Sequence, residues 1–145
     1  MKLNLGCGPE IRDGWVNVDR VPGPGVDVVH DVDVHPWPWA DRSAGTVYAK
    51  DLFEHIDDPV GFMVQAHRVL VPNGGRLRLI TPMFNHVDSY TDPTHKRHCT
   101  PYTWDYWIPG TALHASYNAF YGGVEFELVD RTLTDKIDIT LKRLG

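Results

Sequence analysis

Leu3 and Leu5 alternate with Lys2 and Asn4, and Gly6-Cys7-Gly8 follows at once. Glycines carry no Cβ, so such a loop turns tightly and lets a ligand approach its peptide groups. Two later segments, residues 15–19 (WVNVD) and 26–31 (VDVVHD), each end on an acid. An ionised carboxylate only accepts hydrogen bonds, so Asp19 suits both hydroxyls of a ribose. Asp31 suits the exocyclic amine of an adenine whose ring takes the Val32 N–H. In an open parallel sheet the glycine loop and both acids fall outside the carboxyl ends of the strands, where ligands bind. Each feature alone also has a plainer reading, as a glycine turn or as an acid that caps or turns the chain. The longer G-x-G-x-x-G fingerprint is broken by Ile11 at its third glycine.

The elements that must position these groups are legible. Strands are expected at the N-terminus up to the glycine loop and over residues 15–19, 26–31, 46–50 and 76–81. A helix is expected over residues 59–70: Asp58 is an N-cap, Pro59 takes the first helical position, and Phe62, Met63, Ala66, Val69 and Leu70 share a face. Pro36-Trp37-Pro38-Trp39 cannot be regular structure. Residues 83–122 are rich in aromatics and histidines with little periodicity, with a short helix expected near 101–107. Residues 124–130 and 136–141 read as a closing antiparallel pair joined by 131–135. The pattern predicts an α/β fold with an open, mostly parallel sheet and one domain over residues 1–145. Parallel neighbours usually need a crossover of about a dozen residues, and the first two connections are shorter. Either they are bare loops or one early strand runs antiparallel. Bare loops leave few helices on one face, to be covered by the 83–122 insertion or by a second subunit.

The series LNLGCG (3–8), VNVD (16–19), His30-Asp31, Glu54-His55 and RVLVPNGGRL (68–77) resembles the class I S-adenosylmethionine-dependent methyltransferases, in particular a compact group with LNLGCG, GWVNVD, EHI-x-DP and RVL-x-P-x-GG in that order. The resemblance implies a Rossmann-like methyltransferase sheet and S-adenosylmethionine as cofactor. It puts Gly6, Cys7 and Gly8 beside the methionine part, Asp19 on the ribose and Asp31 with Val32 on the adenine, with Lys50 and Asp51 bordering the sulfonium. Residues 92–97 (DPTHKR) extend it more weakly. Methyl transfer to a hydroxyl needs alignment and proton removal. His55 is the first candidate base, and His95 with Asp92 three residues earlier is the second; a capping or structural histidine is the plainer reading of each. The expected acceptor is a small molecule or glycan hydroxyl under the 83–122 insertion. Asp51-Leu52-Phe53-Glu54 stands where an N-P-P-Y-type tetrad would mark a methylase of base amines. A cofactor-binding module or subunit without its own turnover is the alternative. A nicotinamide enzyme is disfavoured by the broken fingerprint and by the lack of a helix after the loop.

The 145 residues suffice for a buried core, and 42% hydrophobic with 23% charged is ordinary for a globular chain. A net charge of −5 argues against nucleic-acid binding through a basic surface. No apolar run suggests a membrane span or leader. Cys7 and Cys99 stand in no metal spacing, so free thiols and a cytoplasmic setting are expected. His86, Asp88, Asp92, His95, His98 and Cys99 match no familiar ligand spacing, so no metal is expected. A homodimer or a place in a larger enzyme stays open.

Overall fold

The computed structural model describes Met1–Gly145. Seven strands form one sheet: β1 (Lys2–Leu5), β2 (Val16–Asp19), β3 (Val28–Val29), β4 (Thr46–Lys50), β5 (Arg76–Pro82), β6 (Phe126–Leu133) and β7 (Lys136–Arg143). Their order is β3-β2-β1-β4-β5-β7-β6. The first five are parallel, and β7 joins β5 and β6 antiparallel. This is the expected open, Rossmann-like sheet with a terminal antiparallel pair. Strand order reverses between β1 and β4, which places the switch-point crevice at their carboxyl ends.

Helix α1 (Pro59–Val69) is capped as its sequence predicts, with the Asp58 carboxylate accepting from the Gly61 N–H at 2.8 Å. Its buried stripe of Phe62, Met63, Ala66 and Val69 packs into a core of 26 apolar residues. Strand alternation sends Leu3, Leu5, Val47, Ala49, Leu77 and Leu79 into that core. Burying a leucine fully contributes about 1.5–3 kcal/mol.

The early strands are all parallel, so the short connections are bare loops: residues 6–15, 20–27 and 30–45 carry no helix. The opposite sheet face is therefore uncovered by helices, and its chemistry matches. Arg76 and Arg78 of β5 point to it and are exposed, and Arg78 forks onto Asp138 of β7 at 2.9 and 2.6 Å. A strand buried on both faces reads as continuously apolar; β5 alternates because only one of its faces is buried. The 83–122 insertion does not cover this bare face. It packs beside α1: Trp104 is buried against Phe53, ring centroids 5.4 Å apart. Gly122, at φ 87°, lies so close to α1 that a Cβ would meet Val64 at 2.4 Å. Over the bare face lies the loop after β1, with the Arg12 guanidinium 3.8 Å from the Tyr48 ring centroid. Two buried asparagines pin that loop. Asn4 Nδ2 donates to Asn17 Oδ1 and to the Glu10 carbonyl, both at 2.9 Å, and Asn17 Oδ1 accepts from the Arg12 N–H at 2.9 Å.

Some boundaries differ from expectation. The segment over residues 26–31 pairs only at Val28–Val29, because the Asp27 carboxylate turns back to accept from the Asn17 N–H at 2.7 Å. The helix near 101–107 is a single 3₁₀ turn, Asp105–Trp107. Helix α2 (Asp88–Thr91) and helix α3 (Ala112–Tyr117), the latter capped by Thr111, carry too little periodicity to announce themselves. β6 extends to Leu133, so the hairpin turn is tighter than residues 131–135.

Candidate active site

At the carboxyl edge of the parallel strands a cleft of about 180 Å³ is lined by Gly6, Asp19, Asp31, Val32, Asp51 and His55, among others. Gly6 turns the chain at φ 61°, and a Cβ there would lie 2.8 Å from Leu52. Asp19 accepts from the Gly8 N–H at 2.8 Å through Oδ2 and from the Val21 N–H at 2.9 Å through Oδ1. A carboxylate has about four acceptor positions, so each oxygen keeps one free. The Asp31 Oδ1 accepts from the Asp33 N–H at 3.0 Å. The Val32 carbonyl takes the Trp37 indole N–H at 2.9 Å, while the Val32 N–H has no partner within the chain. Free carboxylate positions beside a free N–H fit the ribose and adenine of S-adenosylmethionine.

Asp51 and His55 also border a second cleft, of about 350 Å³, together with Glu54, Asp92, His95 and Lys136. Asp51 follows β4 in the left-handed region at φ 51° and pairs with Lys136 at 2.9 Å. The His55 and His95 rings meet edge to face, 4.6 Å between centroids. His55 Nε2 lies 3.8 Å from Asp92 Oδ2, and His95 Nε2 lies 3.9 Å from Asp92 Oδ2 and from Glu54 Oε1. Burial pushes the His55 imidazole below the usual histidine range, His95 adding to the effect. Hydrogen bonds from Thr94 hold the Asp92 carboxyl below the usual carboxylate range. Glu54 is 2% exposed, neither of its oxygens has a hydrogen-bond partner, and burial pushes its carboxyl up to about 7.

The remaining residues singled out from sequence line a third cleft, with Cys7, Gly8 and Lys50 beside Gly6 and Asp51. The Cys7 thiol is buried, while its peptide ties the loop down, its N–H donating to the Val18 carbonyl and its carbonyl accepting from Glu10. Lys50 reaches away from His55 to Glu10 at 2.8 Å, a hydrogen bond that raises the lysine and lowers the glutamate. The three clefts adjoin through Gly6, Asp51 and His55, so the sequence-selected residues form one continuous edge. Sequence reasoning named Glu54 only as part of a motif, with no role at the site, and left out Thr94. The signal for Glu54 was its place next to His55; nothing local distinguished Thr94, whose hydroxyl joins His55 to Asp92.

The profile of the methyltransferase-domain family matches residues 7–77. No curated protein matches the chain. Among solved structures, the YcgJ protein from Bacillus subtilis superposes with TM-score 0.63 at 15% identity, over 99% of this chain and 92% of that one. An S-adenosylmethionine-dependent methyltransferase from Mesorhizobium loti gives TM-score 0.61 at 14% identity, over 97% and 89%. A chain from the complex of the Haloferax volcanii Trm112 methyltransferase activator with a methyltransferase gives 0.65 at 12%, over 99% and 82%. At these identities the likeness is one of fold, and it agrees with the motif series and the strand order. Residues 7–77 match the methyltransferase-domain family and the chain has the fold of the S-adenosylmethionine-dependent methyltransferases, consistent with the class I motif series, and the cofactor these imply is S-adenosylmethionine.

Proposed function

We propose that the chain catalyses transfer of a methyl group to a hydroxyl of a small molecule or glycan. The observation that carries this reading is the continuity of the carboxyl edge: nucleoside-type partners stand at one end, a histidine pair at the other, and Asp51 and His55 belong to both clefts. When bound, S-adenosylmethionine supplies an electrophilic methyl carbon on a sulfonium. Asp19 would hold the ribose, Asp31 and the Val32 N–H the adenine, and the Gly6–Gly8 peptide with Lys50 the methionine part. Asp51 fixes the boundary between cofactor and acceptor through Lys136. The acceptor hydroxyl enters the cleft of Glu54, Asp92 and His95 and loses its proton at the His55–His95 cluster. Residues 83–122 supply His95 and Asp92 and so close the acceptor side. The test is calorimetry with S-adenosylmethionine and S-adenosylhomocysteine, followed by transfer of radiolabelled methyl to a panel of hydroxyl compounds. Micromolar binding with label on an oxygen supports the proposal, and failure to bind either cofactor form refutes it.

A second reading, a cofactor-holding subunit, draws on the Haloferax volcanii neighbour solved with an activator and on the outer strand edge, where Val21, Val29 and Val34 are exposed. Cofactor binding without transfer by the chain alone, and transfer restored by a purified partner, would select it.

A further inference from the structure

We infer that Glu54, His55 and His95 form a binding site for one divalent first-row transition ion, with Asp92 and an acceptor oxygen completing its shell. Ion binding stands on the geometry below; only the ion's role toward an acceptor rests on the proposed function.

The hydrogen bonds around the cluster fix both imidazole tautomers. His95 Nδ1 lies 2.8 Å from the Ser89 carbonyl, which can only accept, so Nδ1 carries the proton. The Thr94 hydroxyl spends its one hydrogen on Asp92 Oδ1 at 2.7 Å, so at 2.9 Å it must accept from His55 Nδ1–H. In its neutral form each ring therefore turns a bare Nε2 toward the same space. Facing these two lone pairs is the buried Glu54 carboxylate, with no partner on either oxygen. Two imidazole nitrogens and a buried carboxyl group converge there with no other side-chain donor between them. The cationic side chains nearby are already engaged, Lys136 on Asp51 and Lys96 on Asp57. A buried carboxylate without a donor or counter-charge is costly, and a cation bound by all three groups removes that cost.

The distances suit an ion. One ligand atom from each of Glu54, His55 and His95 lies within 4.8 Å of the others. Bonds of about 2.0–2.2 Å put neighbouring donors roughly 3 Å apart, within reach of small side-chain rotations from the separations of 3.8–3.9 Å. Two imidazoles with one or two carboxylates favour Zn²⁺, Co²⁺ or Mn²⁺ over the oxygen-seeking Mg²⁺ and Ca²⁺. The hydrogen bonds on both Nδ1 atoms are the outer contacts that orient metal-bound histidines. Three or four protein donors leave a position open toward the cleft shared with Asp51, as sites that act on a bound molecule require. A hydroxyl held there is more acidic than in water, and with both Nε2 atoms on the ion its proton passes to a carboxylate oxygen of Glu54 or Asp92 that is left off the ion, the imidazoles serving as the base only without it.

Chelator-treated protein, saturated with S-adenosylhomocysteine, is titrated with Co²⁺ and its visible absorption followed. One equivalent is expected to produce a d–d band. Glu54→Gln and His95→Gln should each weaken Co²⁺ binding by about 100-fold, and Thr94→Val by the roughly 10- to 100-fold that a supporting group costs, with S-adenosylhomocysteine affinity unchanged by calorimetry. Titration of the wild-type chain with Zn²⁺, followed by long-range imidazole ¹⁵N NMR, probes the same ligands without any variant that must fold. The Nε2 signals of His55 and His95 should shift while the other six of the eight histidines stay in place. No Co²⁺ band with intact S-adenosylhomocysteine binding, or a Zn²⁺ response at other histidines, overturns the ion site and leaves the proposed function standing. Loss of S-adenosylhomocysteine binding in the wild type would instead strike the proposed function.

Discussion

Asp19→Ala tests the cofactor assignment most sharply, because the structure shows what its carboxylate already does and what it has left to give. Two acceptor positions are taken by the Gly8 and Val21 N–H groups at 2.8 and 2.9 Å. Two remain for the ribose hydroxyls. A hydrogen bond to a charged group contributes about 1.5–3 kcal/mol net; two at an open, partly solvated edge should sum to less than twice that, about 2–4 kcal/mol. The corresponding loss of S-adenosylhomocysteine affinity is roughly 30- to 1,000-fold. The fold should barely respond, since the Gly8 and Val21 N–H groups are exposed and water replaces the lost acceptor. Calorimetry with S-adenosylhomocysteine and with its 2′,3′-dideoxy analogue completes a cycle. The analogue should bind the wild type weakly and lose little more in the variant, a coupling of about 2 kcal/mol or more. Full affinity in Asp19→Ala, or equal losses for both ligands, would show that the ribose lies elsewhere and sink the assignment.

Three further outcomes follow from single contacts. His55→Ala should keep S-adenosylhomocysteine affinity within about twofold while turnover falls by about 100-fold or more, measured as radiolabelled methyl transfer; a parallel fall in both would make the residue structural. Asp58→Ala removes the carboxylate that accepts from the Gly61 N–H and should cost about 0.5–2 kcal/mol in urea denaturation. Burial pushes the Cys99 thiol up to about 11, so at pH 8 only about one molecule in a thousand is thiolate. Iodoacetamide should therefore leave the native protein's Cys99 unmodified, react about tenfold faster per pH unit below that value, and modify it readily in urea.

Sequence pattern revealed the sheet, and it put Asp19 and Asp31 at the carboxyl edge, because both are written in local chemistry. Leu3, Leu5, Val47 and Leu77 alternate with polar neighbours, and Asp19 directly ends a strand. The alternation Arg76-Leu77-Arg78-Leu79 marked the strand, and the structure adds that its arginines lie on the face without helices. The histidine cluster was harder to read. Glu54 and His55 lie some 40 positions from Asp92 and His95, and no short-range spacing joins residues brought together by an insertion with little periodicity. Thr94 matters only because its single hydroxyl hydrogen is committed to Asp92, which no sequence displays. The insertion's path beside α1 was equally hidden, since its tryptophans would cover an apolar surface wherever one was offered.

The position of Asp31 shows how a sheet can shed crossover helices and still fix the loop that follows its outermost strand. β3 has only two paired residues, too few to fix the segment that follows. Anchorage comes instead from α1 and from the Pro36–Trp39 segment. Trp37, 2% exposed, donates its indole N–H to the Val32 carbonyl and sets its ring edge-on to Phe62 of α1, 5.2 Å between centroids. Arg68, in the last turn of the same helix, holds the carbonyls of Trp37 and Trp39 at 3.0 and 2.9 Å. The Asp33 carboxylate accepts from the Asp57 and Asp58 N–H groups just before the helix, at 2.9–3.0 Å. The Asp31–Val32 peptide is thereby positioned from the far side of the cleft, by the helix whose N-terminus follows Glu54 and His55. One element then sets the spacing between the Asp31–Val32 peptide and the histidine cluster, so under the proposed assignment a loosened α1 should weaken cofactor affinity and turnover together.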